Sequence, residues 1–387
     1  MAYDLDLGFI FKMPTRIVFG INSLNDLSPE IALLKGTKAF LITDKGVEEA
    51  GLADMVVKAL GSKWVGTYNE IPQDSGIHVV NEAYQIAKEK GADILVSVGG
   101  GSVIDTAKGV AILLKGGGKL EDYYGVQNLT EPQTPHIAIP STAGTGSEVT
   151  WAIVVKDYER NQKIVFGDDH VIPNTAILDP NMVKGLPPMI TAFTGMDALT
   201  HAIEAIHAIE SEPISDGMAF YAIRLIMNNL PICVENGEDL FARGQQQIAA
   251  TMAGAAFGLA QTGLVHATAH SIGALYKVPH GLGNSIMLPH VMAYNMDEVA
   301  DRYALVAEAM GIKEKGMSDE EASKAAIEAV FELTKKIGLP QKLSEVGVPE
   351  SGLEAAADLT LSDSQVIYNP KPIFDAEEVM GVLRKAY

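Results

Sequence analysis

Residues Ile94–Leu114 read ILVSVGGGSVIDTAKGVAILL. A short β-branched run meets three glycines and a serine, and an apolar pattern of helical length follows. That order predicts a strand, a tight turn and a helix. Similar units surround it. Lys38–Thr43 (KAFLIT) and His136–Ile139 (HIAI) also read as strands that end in Asp, Pro or Ser, and Ile77–Lys90 joins Val103–Leu114 as a helical stretch. Strands alternating with helices of this length predict a parallel, doubly wound α/β sheet. TRIVFG, near the start, reads as an edge strand or hairpin.

From about Pro187 the strand signals stop. Long Ala-, Leu-, Ile- and Met-rich patterns take over at Thr191–Ile209, Pro213–Asn229, Leu240–Tyr276, Glu298–Met310 and Asp319–Lys336. The expectation is two domains, an α/β one over 1–185 and an all-helical one over 186–387, with the boundary in Asp179–Pro188 (DPNMVKGLPP). A chain of 387 residues is long enough for both.

Composition narrows the function. With 29 basic against 49 acidic residues the formal charge is −20, which argues against nucleic acid or an anionic membrane as partner. The single cysteine, Cys233, rules out an internal disulfide and a thiolate zinc site, and it suits a reducing cytoplasm. The opening MAYDLDLGFIFKMP lacks the basic region and apolar core of a signal peptide. The longest apolar stretch, Ile248–Leu275, is interrupted by Gln261, His266 and His270 and reads as a buried core helix, not a membrane span.

On an open parallel sheet, ligands bind beyond the carboxyl ends of the strands. Three such ends carry chemistry here. Gly99, Gly100, Gly101 and Ser102 would bring backbone amides at a helix N-terminus close to a phosphate, although a plain tight turn uses the same residues. Pro140–Ser147 (PSTAGTGS) clusters hydroxyls and small residues. Asp44, after FLIT, suits a ribose diol and repels a 2′-phosphate, and it equally suits a helix N-cap. The usual dinucleotide fingerprint is missing: there is no G-x-G-x-x-G, and the acidic residue precedes the glycine loop by roughly fifty positions instead of following it by about twenty. These residues therefore point only to a phosphate-bearing ligand.

The helical half carries the second signal. GLVHATAHSIGALYKVPHGLGNSIMLP (263–289) sets His266, His270 and His280, three of the nine histidines, among apolar residues. Upstream, GMDALTHAIEAI places Asp197 and His201 at i, i+4, on one helical face. Buried imidazoles need partners, and a carboxylate with two or three of them is a divalent-metal site. Such a donor set suits Fe²⁺, Zn²⁺, Mn²⁺ or Co²⁺, and ligand type alone does not choose. His207, with Glu210 and Glu212 after it, reads as solvated surface. His78, His136, His170 and His290 read as structural.

Together, SVGGGSVIDTAK, IPSTAGTGSEVT, GMDALTHAIEA, GLVHATAHSIGA and PHGLGNSIMLPHV resemble the iron-containing (group III) alcohol dehydrogenase family, in order and over essentially the whole chain. The resemblance implies a dinucleotide-binding domain, a helical domain, and an active site in the cleft between them. It implies Asp197, His201, His266 and His280 as metal ligands, with His270 near substrate and nicotinamide as proton relay. It places Gly99, Gly100, Gly101 and Ser102 on the pyrophosphate, with Thr142, Thr145, Ser147, Asp105 and Lys163 along the cofactor. The implied cofactors are Fe²⁺, with Zn²⁺ as alternative, and NAD, which Asp44 favours over NADP. The implied partner is a small alcohol or aldehyde, and the chain would form a homo-oligomer, a dimer or larger. Trp151 departs from the polar or smaller residue that relatives often carry after SEVT, and in the pocket it would narrow it. The alternative within this fold is a glycerol-dehydrogenase-like or dehydroquinate-synthase-like enzyme, but a synthase calls for a dense Lys/Arg set that is missing here.

Overall fold

The structure, a computed structural model, describes residues 8–158 and 162–387, the side chains of 162 and 163 excepted. Residues Met13–Leu186 form one compact unit, and Pro187–Tyr387 form another that residues 8–12 join.

The first unit is built on β1 (Arg16–Phe19), β2 (Ala39–Ile42), β3 (Trp64–Tyr68), β4 (Ile94–Gly99) and β5 (His136–Pro140). A hairpin of β6 (Ala152–Asp157) and β7 (Gln162–Gly167) follows, and then β8 (Thr175–Leu178). Six strands make one parallel sheet in the order β1-β8-β5-β4-β2-β3, while β6 and β7 pair antiparallel as a separate ribbon. Between the strands lie α1 (Leu27–Leu33), α2 (Lys45–Glu49), α3 (Leu52–Leu60), α4 (Ile77–Glu89) and α5 (Gly101–Gly116). The central strands β2, β4 and β5 are buried at every position, as expected of a sheet covered on both faces. Their alternation sorts the two cores. Phe40, Ile42 and Leu95 pack with Val80, Ala83, Val103 and Ala107 on one face. Leu41, Val96, Val98, Ile137 and Ile139 pack with Leu27, Ile31, Val56 and Leu60 on the other. TRIVFG is an edge strand, parallel to β8. Sequence pattern missed β3, β8 and the β6–β7 ribbon.

The chain leaves β2 outward to β3 and returns across β2 to β4, so the sheet changes direction between β2 and β4. Such a switch point opens a crevice beyond the carboxyl ends of the strands. The loops bearing Asp44 and Gly99–Ser102 flank it, and the loop after β5 comes next.

The second unit, from Pro187 on, is helical throughout. Its helices are α6 (Pro188–His207), α7 (Pro213–Glu235), α8 (Leu240–Ala260), α9 (Leu264–Tyr276) and α10 (His280–Asn295). They are followed by α11 (Ala300–Ala309), α12 (Asp319–Lys336), α13 (Leu353–Leu361) and α14 (Ala376–Lys385). Helix α6 lies at its centre, packed by α7, α8 and α10, and is buried almost continuously from Gly195 to His207. By length and composition α7 is apolar enough to cross a membrane; here it packs on α6 and α8.

Two expectations need correction. Leu240–Tyr276 is not one helix: the chain turns by 103° between α8 and α9. Gln261, in the left-handed region at φ 70°, ends α8, and the extended Gly263 starts α9. His207 and Glu212 are also not solvated surface. His207 is buried against the Tyr303 hydroxyl, 2.8 Å away. Glu212 is buried as the cap of α7, accepting from the amides of Ile214 and Ser215 at 2.7 Å each. Only Glu210 is exposed.

Candidate metal centre and nucleotide loop

The packing of α6, α9 and α10 brings the metal candidates together. Asp197 and His201 project from one face of α6, His266 from α9, and His280 opens α10. Asp197, His201 and His266 are buried, and one donor atom from each lies within 4.8 Å of the others. His280 joins them, its Nε2 3.6 Å from Asp197 Oδ1, with His266 Nε2 at 3.9 Å from the same oxygen. The rings of His201 and His266 stack at 4.5 Å, and the Phe257 ring stacks on His201 at 4.1 Å. Helix α10 approaches α6 this closely because of Gly281. A Cβ there would lie 2.4 Å from the Phe193 carbonyl oxygen, one turn before Asp197.

Three further residues, which sequence pattern did not single out, hold this cluster. Glu204, fully buried on α6, accepts from His266 Nδ1 and, at 2.8 Å, from the Val265 amide. Burial pushes the Glu204 carboxyl up, while His207, the Val265 and Gly263 amides and His201 pull it back. Its bond to Nδ1 leaves His266 Nε2 as the acceptor facing Asp197, the arrangement by which outer carboxylates orient metal-binding imidazoles. Asn284, buried on α10, donates to Asp197 Oδ1 at 2.7 Å. Asp363 accepts from His270 Nδ1 at 2.7 Å and from the Gln365 amide at 2.9 Å. Burial would raise the Asp363 carboxyl, but the neighbouring His270 and these hydrogen bonds outweigh it and hold it below the usual carboxylate range.

His270 stands apart from the donor set. Its ring stacks on His280 at 5.1 Å, meets His266 edge-on at 6.1 Å, and keeps some exposure. One carboxylate oxygen and three imidazole nitrogens, buried at Asp197, His201 and His266 and partly exposed at His280, fit a divalent cation.

In the first unit, α5 begins at Gly101 with no side-chain cap among the described residues, as a helix N-terminus that meets an anion requires. Gly101 faces the loop after β5 closely. A Cβ on it would sit 2.8 Å from Thr145 Cγ2, and one on Gly100 would sit 3.3 Å from Thr142 Cγ2. Within the loop 141–150, Thr142 and Thr145 are the partly exposed residues. Ser102 Oγ accepts from the Asp74 amide at 3.2 Å.

Asp105 and Ser147 are buried and bonded to each other. The other Asp105 oxygen accepts from the Val154 amide at 2.9 Å. Lys108, with no exposed surface, donates to Ser147 Oγ at 2.9 Å, Thr150 Oγ1 at 3.2 Å and the Ala152 carbonyl at 2.8 Å. This buried cluster ties α5 to the hydroxyl-rich loop and to β6. Asp44 caps α2, accepting from the Val47 amide at 2.9 Å through one oxygen. Lys163 falls on β7, but its side chain lies outside the described residues. The Trp151 ring lies over Gly167, where a Cβ would come within 2.0 Å of it.

Comparisons with known proteins agree with this architecture. The sequence model "Iron-containing alcohol dehydrogenase" matches residues 14–180, and "Fe-containing alcohol dehydrogenase family, C-terminal" matches residues 191–387. The chain is 37% identical to the 1,3-propanediol dehydrogenase of Klebsiella pneumoniae over 391 aligned residues, covering all of both chains. It is 35% identical to the NAD-dependent methanol dehydrogenase of Bacillus methanolicus, over 97% of this chain and 99% of that one. The crystal structure of a 1,3-propanediol oxidoreductase superposes with a TM-score of 0.95 at 36% identity, covering 98% of this chain and 100% of the other. With matches spanning both units in order, this chain belongs to the iron-containing alcohol dehydrogenase family.

Proposed function

We propose that this oxidoreductase interconverts a small primary alcohol or diol and its aldehyde, with NAD as the hydride carrier. The observation that carries the reading is the convergence of Asp197, His201, His266 and His280 beside a carboxylate-held His270, in a member of this family. The names of the relatives that act on methanol and 1,3-propanediol support small substrates of this kind.

Asp197, His201, His266 and His280 would hold Fe²⁺, or Zn²⁺ in its place. The cation supplies Lewis acidity, lowering the pKa of an alcohol and polarising a carbonyl. NAD supplies the redox chemistry. Gly99, Gly100, Gly101 and Ser102 would meet its pyrophosphate at the start of α5, with Thr142 and Thr145 lining the same loop edge. Asp105 and Ser147 act there by holding the loop in place, and Lys163 completes the set of cofactor contacts. Asp44 spends one oxygen on the α2 cap; its negative charge disfavours a 2′-phosphate, so NAD is preferred over NADP.

His270 moves the proton. Its Nδ1–H is held by Asp363, which fixes the ring and leaves Nε2 as the base. The alcohol proton passes to Nε2, and the partly exposed ring hands it to solvent. The protein works in the cytoplasm as a homo-oligomer of two or more copies. Burial pushes the lone Cys233 thiol up to about 11, so it stays protonated and inert.

The test is an anaerobic assay of chelator-stripped protein for oxidation of NADH and NADPH with short aldehydes, adding back Fe²⁺, Zn²⁺ or no metal. Turnover that returns with Fe²⁺ and prefers NADH is expected. No turnover with any metal, cofactor or aldehyde overturns the reading, and a preference for NADPH overturns the role of Asp44 alone. His270→Ala should lower turnover by roughly 10²–10⁴-fold while metal content stays near that of the wild type. A metal-free His270→Ala protein would make His270 a ligand and end its assignment as relay.

A further inference from the structure

Asn284 sits one helical turn after His280, on the same face of α10, with no exposed surface. Its Nδ2 lies 2.7 Å from Asp197 Oδ1, 3.2 Å from His280 Nε2 and 3.3 Å from His266 Nε2. An amide nitrogen carries two hydrogens, and here it faces three acceptors. The bond to Asp197 is short and the two contacts to imidazole are long. The positive end of the amide dipole therefore stands where the acceptor atoms converge.

The other end of the same amide is anomalous. Asn284 Oδ1 is buried with no hydrogen-bond partner among the described residues. Leaving a buried carbonyl unsatisfied carries a desolvation cost, and an apolar side chain of this shape would avoid it. Packing alone does not explain an asparagine here. The acceptor cluster does, because turning the amide over would set its oxygen against Asp197 Oδ1. The orientation of the amide is thus fixed by the same three atoms that would receive a cation.

The backbone around it is equally constrained. Gly281 lets the first turn of α10 touch the Phe193 carbonyl of α6, and a Cβ on Gly283 would be 3.2 Å from that of Ala269 on α9. The helix carrying Asn284 is therefore pinned to the two helices that carry Asp197 and His266.

We propose that Asn284 is the positioning residue of the metal centre. Its amide aims the Asp197 carboxylate by donating to Oδ1, an oxygen that keeps a further lone pair for the ion, and so sets how tightly the ion is held. The inference rests on reading Asp197, His201, His266 and His280 as the metal site.

Asn284→Leu tests it, since leucine matches asparagine in shape and offers no polar atom; Asn284→Ala serves as the second variant. Co²⁺ affinity is measured by competition with a chelator. The visible spectrum of the Co²⁺-loaded protein is recorded alongside, with the melting temperature of the metal-free form. Expected are a 10–100-fold weaker affinity, an altered Co²⁺ spectrum, and a metal-free melting temperature that for Leu is unchanged or higher. A purely structural role gives the reverse, a lower metal-free melting temperature with wild-type affinity and spectrum, and that result overturns the proposal. Wild-type protein that binds no Co²⁺ would instead overturn the metal reading beneath it.

Discussion

The candidate metal centre is recognisable from single residues because a helix turns spacing into direction. Asp197 and His201 at i, i+4 share one face of α6, and nothing apolar explains a carboxylate and an imidazole buried there. Glu204 continues that face one turn on and orients His266 through Nδ1. Replacing it with glutamine keeps shape and an acceptor but removes the charge. The expected result for Glu204→Gln is a 10–100-fold loss of metal affinity, read by chelator competition, with secondary structure intact; wild-type affinity would reduce Glu204 to a packing role. Glu204 lies inside the same GMDALTHAIEAI motif, so a signal existed: a second carboxylate, seven residues after Asp197, on the same helical face. Asn284, one turn after His280, carried a comparable signal. Asp363 carried none, because it reaches His270 from 93 residues away and only the fold unites them. His207 was misread for a related reason. It does leave the Asp197 face, but α6 is buried on every side, so another face of this helix is not a wet one.

Among the elements, three interior strands were legible, β2, β4 and β5, which are buried on both faces and rich in apolar residues. The edge strand β1 was legible from TRIVFG, whereas β3, partly exposed at the other edge, and β8, buried but only four residues long, were not. The break between α8 and α9 was hidden because Gln261 is a residue that helices tolerate, yet here it takes a positive φ of 70°. The turn from β4 into α5 is where element geometry bears on the proposed cofactor site. Gly101→Ala would force a Cβ to within 2.8 Å of Thr145 Cγ2, so either Thr145 or the first turn of α5 must shift. Overpacking of this kind costs about 1–3 kcal/mol. Borne by the proposed nucleotide loop, it should weaken NADH binding about tenfold or more and leave metal content unchanged. Calorimetric titration with NADH checks this, and an unaltered affinity would remove Gly101 from the cofactor site.

For the whole molecule, the formal charge of −20 and the buried histidines act in opposite directions as pH falls. Protonating surface carboxylates relieves self-repulsion and favours the fold. His136 opposes it. It is buried against Ser97 Oγ at 2.7 Å, and burial, with Lys108 nearby, depresses its pKa from 6.5 to about 3. His207 behaves alike in the helical unit, depressed to about 4 by burial. Above pH 6.5 neither state binds the His136 proton, and its contribution to stability is complete. Below that the unfolded chain takes up a proton the folded one refuses, so stability falls by about 1.4 kcal/mol per pH unit until the folded pKa is reached. At pH 5 His136 alone accounts for a loss of about 2 kcal/mol relative to neutrality. His136→Gln retains a polar group for Ser97 and cannot titrate. The charge relief is common to both proteins and cancels in the comparison. Urea unfolding followed from pH 7 to pH 4 should therefore show the variant losing less stability than the wild type, by about one proton's worth of slope. Parallel curves would mean that His136 titrates alike in the folded and unfolded chain, and the acid sensitivity of the sheet would then have to come from another group.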